Sequence, residues 1–234
     1  MTLVIRALLY SAVMSAACLS AAVGTSAAEP TYVGVLVCAK CHEHHGQSWA
    51  KTPHAAALNS LKPAMKIEEK QRAGLDPEKD YSADPGCVGC HTTGFGTVGG
   101  YNPAEPDKTL ARVGCESGHG AGSVFREEHS EAERKMQAEA EATNRSVLVA
   151  AGQNFDFEGA CATCHMNYEG STWSGAKPPY SPFTLAVDPK YAFDFEVAVR
   201  GEGIHTHTKL YDIFVGPPIP AFHEEFQSTA VESQ

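Results

Sequence analysis

The chain opens with one basic residue, Arg6, then an apolar run over residues 7–23, then small residues ending Ser26, Ala27, Ala28. That order of charge, hydrophobicity and small side chains predicts a cleavable secretory signal over residues 1–28. Beyond it, apolar positions keep helical spacing only in short stretches. Residues 44–61 predict a short helix with Trp49, Ala56, Ala57 and Leu58 on its inner side. It is interrupted at Thr52-Pro53, so that His54 stands at a restarted helix N-terminus. Residues 64–74 form a charged helical stretch ended by Gly74, and residues 75–86 a loop rich in Asp and Pro. The longest helical candidate is residues 126–151, dense in Glu and Ala, with His129 near its start and a polar middle that predicts solvent exposure. Residues 167–184 carry Tyr, Trp and Pro without a period and predict a wrapped loop. Residues 193–211 predict a second short helix bearing His205 and His207, and residues 228–234 a disordered tail.

Between these segments a five-residue motif repeats. Cys38-Ala39-Lys40-Cys41-His42 recurs at residues 87–91 (Cys87, Cys90, His91) and 161–165 (Cys161, Cys164, His165), and a fourth copy, Cys115 to His119, has Gly118 in place of the second cysteine. Two thiols separated by two residues can add to the two vinyl groups on one porphyrin edge, with the adjacent histidine held beneath the iron. Zinc knuckles and redox dithiols share the paired cysteines but do not require the histidine that every intact copy carries. The repeat therefore predicts covalently attached c-type haem.

Cysteine arithmetic agrees. Cys18 leaves with the signal, and the seven cysteines that remain cannot all pair as disulfides, although export favours them. Three intact motifs use six, and Cys115 is left over at the degenerate site. A lipid anchor at Cys18 lacks the large aliphatic residue usual at the start of such a box. A retained membrane anchor lacks a basic stop-transfer flank, so no permanent anchor is expected and the location predicted is the bacterial periplasm. The remaining chain, about 206 residues, is one compact domain with little polypeptide per cofactor, so the porphyrins themselves must fill much of the core. A net charge of −10 turns the surface away from nucleic acid and toward basic or mixed partners.

Besides the motif histidines there are His44, His45, His54, His129, His205, His207 and His223. A haem used only for electron transfer usually takes a second axial ligand, and one without it has an open iron position. His44 and His45 lie too near His42 to reach over the same haem, and read as surface residues or as neighbours of another haem. Glycines 94, 96, 99 and 100 follow the second motif, with Phe95 the one large side chain among them. They read first as close packing, and alternatively as an uncovered haem face.

Loop residues extend the pattern: Gln47-Ser48-Trp49, Pro53-His54, Ser60-Leu61-Lys62-Pro63, Leu75-Asp76-Pro77, Lys79-Asp80-Tyr81, Gly94-Phe95-Gly96, Val113-Gly114-Cys115-Glu116-Ser117, Asn167-Tyr168-Glu169-Gly170 and the run from Pro179 to Phe183. With the haem motifs, they are similar over residues 37–227 to the tetrahaem cytochrome c-554 family of ammonia-oxidising bacteria. The resemblance implies a mainly α, compact multihaem cytochrome c with little β structure, built around four closely packed c-type haems. It also implies a periplasmic role in ammonia oxidation and nitrogen metabolism, accepting electrons from a hydroxylamine-oxidoreductase-like donor and passing them to a membrane or periplasmic cytochrome acceptor. By the same resemblance His42 pairs with His129, His119 with His54, and His165 with His205. The haem on His91 is then five-coordinate, and reduction of nitric oxide at its open face is the alternative function.

Two features depart from the family. Gly118 stands where the family has cysteine. The expectation is that haem is kept there through one thioether from Cys115 with His119 and His54 on the iron, the alternative being a three-haem protein with a free thiol at Cys115. The second is charge: the chain is acidic where the family's relatives tend to be more basic.

Overall fold

The structure, a computed structural model, describes residues 29–165 and 189–232. The expected signal over residues 1–28 and the wrapped loop over residues 167–184 lie outside the described residues. Along the chain come α1 (Val35–Cys38), α2 (Glu43–Trp49), a 3-10 helix (Pro53–Leu61), α3 (Ile67–Arg72), α4 (Pro85–His91), α5 (Cys115–His119) and α6 (Gly122–Glu139). There follow β1 (Thr143–Asn144), α7 (Ser146–Ala150), α8 (Phe157–His165), a 3-10 turn (Pro189–Tyr191), a helix over Phe195–Ala198, β2 (Phe214–Val215) and a last helix over His223–Thr229. The architecture is mainly α, and among the described residues its one sheet is the parallel pair β1–β2.

Two of the described helices, α4 and the helix over Phe195–Ala198, start on an Asp side-chain cap. At α4 the Asp84 side chain accepts the Gly86 N–H at 2.8 Å, and Pro85 fills the first helical position, where no N–H partner is needed. On α6, Gly122, Phe125, His129 and Ala132 share one face at helical spacing; Phe125 and Ala132 are buried, and the opposite face carries Glu and Arg. That face aims His129 inward.

Among the described residues two small apolar clusters stand in for a conventional core. One joins Leu61, Tyr81, Val88, Tyr101 and Leu110, and the other Phe125, Leu148 and Ala151. Both border a cavity of about 2480 Å³, against roughly 300–1,000 Å³ for a pocket that takes one small ligand. Gly94, at φ +72, lies so close to Tyr32 that a Cβ there would sit 2.6 Å from its ring. The glycine-rich segment after His91 is thus close-packed at this point, as its first reading had it.

Four expectations change. The helix expected over residues 126–151 ends at Glu139: Ala140 adopts the left-handed conformation (φ 53), and Thr143 and Asn144 then pair with Phe214 and Val215. The Asn144 side chain caps the turn into α7 by accepting the Ser146 N–H at 2.9 Å. The helix expected over residues 193–211 shrinks to Phe195–Ala198, since Gly201 and Gly203 disfavour its continuation, and His205 and His207 lie on non-helical chain. The tail expected to be disordered is ordered to Glu232: helix runs to Thr229, Lys209 N–H donates to the Val231 carbonyl at 2.9 Å, and Lys209 pairs with Glu232. Phe226, buried and stacked on His207 at 4.2 Å, pins that segment. The break at Thr52-Pro53 occurs as expected, but the restarted helix is of the 3-10 kind.

Candidate haem sites

Each motif occupies about one helical turn. Cysteines three apart and a histidine one residue further share a side of that turn, and α4, α5 and α8 each end on their histidine. In the first copy α1 ends at Cys38, and the His42 N–H still donates to the Cys38 carbonyl at 3.0 Å. Cys38, Cys41, Cys87, Cys90, Cys115, Cys161 and Cys164 all line the cavity, as do the motif histidines.

The imidazoles meet in pairs. His42 and His129 have ring centroids 6.3 Å apart, His119 and His205 6.3 Å, and His54 and His165 6.0 Å. Two imidazoles on opposite sides of one first-row metal, each nitrogen about 2 Å from it and each centroid roughly 1 Å further, have centroids about 6 Å apart. The first pair is the expected one. The other two exchange partners: His119 faces His205 rather than His54, and His165 faces His54 rather than His205. The cause is tethering. Thr206 N–H donates to Ser48 Oγ at 2.9 Å, which fixes His205 against α2 beside His42 and within reach of α5. His165 instead stacks on Phe193 at 4.3 Å and turns toward the 3-10 helix bearing His54.

His91 forms no such pair among the described residues. Its Nδ1–H donates to the Ala57 carbonyl at 2.8 Å, with Ser60 Oγ at 3.0 Å, which leaves Nε2 with the lone pair. His205 Nδ1 is likewise engaged by the Thr206 carbonyl at 3.1 Å. His129 is reversed: its Nε2 faces Gln153 Oε1 at 3.1 Å, so Nδ1 is the nitrogen left for a metal.

Burial pushes these imidazoles below their usual 6.5. The shift is downward for His42, His54, His91, His129 and His205, and reaches about 4 for His119 and His165. Neutral imidazoles at ordinary pH have the free lone pair that a metal requires. The thiols divide. Burial raises Cys87 to about 11, whereas a hydrogen bond with Cys90 lowers Cys164 to about 7. The contact between Cys38 and Cys115 pushes the first up and draws the second down. Thiols of different motifs therefore touch in two places.

At Gly118 a Cβ would meet nothing within 4 Å, so a cysteine side chain has room at the position where the motif calls for one. Among the described residues no three or more His, Cys, Asp and Glu side chains are grouped as the ligands of a single ion. Cavity size, ring spacing and cysteine lining fit iron porphyrins.

A family described as cytochrome c554 and c-prime matches residues 37–120. Cytochrome c-554 of Nitrosomonas europaea is 48% identical over 205 residues, covering 87% of each chain. The chain belongs to the cytochrome c-554 family. The solved structure of reduced cytochrome c554 from Nitrosomonas europaea superposes with a TM-score of 0.82 at 47% identity, covering 88% of this chain and 99% of that one. Membership in the cytochrome c-554 family makes this a multihaem cytochrome with covalently bound c-type haem.

Three cavity-lining residues with a role here were not among the sequence candidates. Gln153 selects the nitrogen of His129. Phe193 supports His165. Glu116, 3% exposed inside the third motif, accepts the N–H groups of Val33 at 2.9 Å, Gly34 at 2.8 Å and Gly122 at 2.7 Å. It ties the N-terminal segment and the start of α6 to α5. No local signal marks a glutamate for that role, since its partners come from two other parts of the chain.

Proposed function

We propose that this protein is a periplasmic four-haem electron carrier whose sites form one unbranched relay. The observation that carries the reading is the order in which the sites touch. Cys90 meets Cys164, linking the His91 site to the His54–His165 site. Phe157, on α8 with Cys161 and Cys164, lies 5.1 Å from the His119 ring and links that site to the His119–His205 site. Cys38 meets Cys115 and completes the line to the His42–His129 site. Haem held at such a site supplies a one-electron iron couple; the protein supplies paired neutral imidazoles and short spacing between sites. At the third site Cys115 would give one thioether, and His119 and His205 would hold the iron.

A hydroxylamine-oxidoreductase-like enzyme is the proposed donor, and a membrane or periplasmic cytochrome the acceptor. Intact mass of the denatured protein with a pyridine haemochrome assay is expected to give four haems per chain, one with a single thioether; a mass of the chain plus three haems overturns the count. Mixing with reduced hydroxylamine oxidoreductase should reduce all four, and an unreduced cytochrome overturns the donor.

A second reading, reduction of nitric oxide at the His91 haem, is favoured by one observation: no described imidazole pairs with His91 at metal-bridging distance. A high-spin signal that binds nitric oxide and is reoxidised in turnover supports it, and four unreactive low-spin haems remove it.

A further inference from the structure

His45 belongs to none of the pairs, yet it touches two of them. Its ring stands edge-on to His42 at 5.6 Å with the planes at 90°, and edge-on to His205 at 4.8 Å with the planes at 71°. Both separations fall in the range of about 4.5–7 Å in which edge-to-face rings hold one another's orientation. His42 belongs to the first site and His205 to the third. His45 is tethered as well, with Thr208 Oγ1 at 3.1 Å from its Nε2 and 3.4 Å from its Nδ1. One turn along α2, Ser48 Oγ accepts the Thr206 N–H at 2.9 Å. Residues 45 and 48 lie on one face of a helix, so α2 grips the chain on both sides of position 207 and presses His205 against His45.

We propose that His45 is a positioning residue shared by two haem sites, a wedge that sets the ring planes of the axial ligands His42 and His205 together. The relative orientation of two axial imidazoles governs the splitting of the iron d orbitals, and a ring that cannot turn freely fixes it. Because one wedge bears on both ligands, those two haems do not have independent ligand geometry. His42 follows Cys41 directly and has little freedom of its own. His205 lies on non-helical chain with glycines at 201 and 203 just before it, so its plane depends most on this contact. The proposal rests on the ligand pairing proposed above.

The test uses the haem-loaded protein and low-temperature electron paramagnetic resonance of the oxidised state, with signals assigned by their loss in His129→Met and His54→Met variants. His45→Ala is expected to shift the g-values of the two low-spin signals from the His42 and His119 sites and to leave the His54–His165 signal in place. His45→Phe, which keeps the ring edges, is expected to return both signals toward the wild type. Should His45→Ala lose haem, Thr208→Val removes only the tether and is read by the same spectra, with a shift expected at both sites. Movement of one signal alone, or identical spectra for the Ala and Phe variants, overturns the shared role. A wild-type spectrum without low-spin signals defeats the ligand pairing itself, whereas wild-type low-spin signals untouched by any variant overturn the wedge alone.

Discussion

The imidazole of His119 lies nearly parallel to that of His205, 6.3 Å away with 24° between the planes. The pairing decides which site each distal residue serves. His205→Ala is therefore expected to convert the haem on His119 to high spin and to leave the haem on His165 low spin. His54→Ala should do the reverse. Absorption and magnetic resonance spectra of the two variants check this, and high spin at His165 in the His205 variant would restore the pairing drawn from family resemblance.

Gly118 faces open space, so Gly118→Cys adds a thiol without displacing a neighbour. The substitution is expected to raise haem retention under denaturing conditions while the number of haems in the folded protein stays the same. Denaturing gel stain and intact mass measure the first, and native mass the second. An increase in the folded count refutes attachment through Cys115 alone.

The carboxylate of Glu116 answers three backbone N–H groups in a nearly sealed environment. Glu116→Leu strands all three, and an unmade buried hydrogen bond costs about 1–3 kcal/mol. The loss expected is about 3 kcal/mol or more, read as a lower denaturant midpoint. Glu116→Gln keeps one acceptor oxygen and should cost less. Equal midpoints for the Leu variant and wild type would show the carboxylate to be dispensable.

Stability should depend on pH in a set direction. Folding lowers His207 from 6.5 to about 4 and His45 to about 3, with burial the first cause in each. The unfolded chain thus binds more protons than the folded one as pH falls through 6.5, and stability drops with falling pH across that window. Below about 4 the contribution of His207 levels off. Denaturant unfolding at a series of pH values checks it; a flat profile between 6.5 and 4 would contradict the burial of these rings.

What the sequence made legible follows from the range over which each constraint acts. Haem attachment requires cysteines and a histidine within one turn, so Cys38, Cys41 and His42 announce their chemistry in five consecutive letters. Gly74 and Pro53 mark breaks by local backbone preference, and both fall where expected. The partner of His205 was not legible, because it depends on a hydrogen bond from Thr206 to Ser48, far away in sequence. The end of α6 was hidden for the same reason: Ala140 is a good helix former, and only the pairing of Thr143 with Phe214 calls for a turn there. His45 was left between two readings, surface residue or neighbour of another haem, and the structure sets it against ligands of two sites.

The cavity of about 2480 Å³ bears on how the protein is made as well as on what it does. Two modest apolar clusters cannot by themselves close walls around such a volume, so tertiary order must arrive in step with porphyrin delivery. A cell starved of iron would then make a chain that stays open to proteases, and its abundance would track haem supply even with transcription unchanged. Pulse labelling under iron limitation reads that lifetime directly.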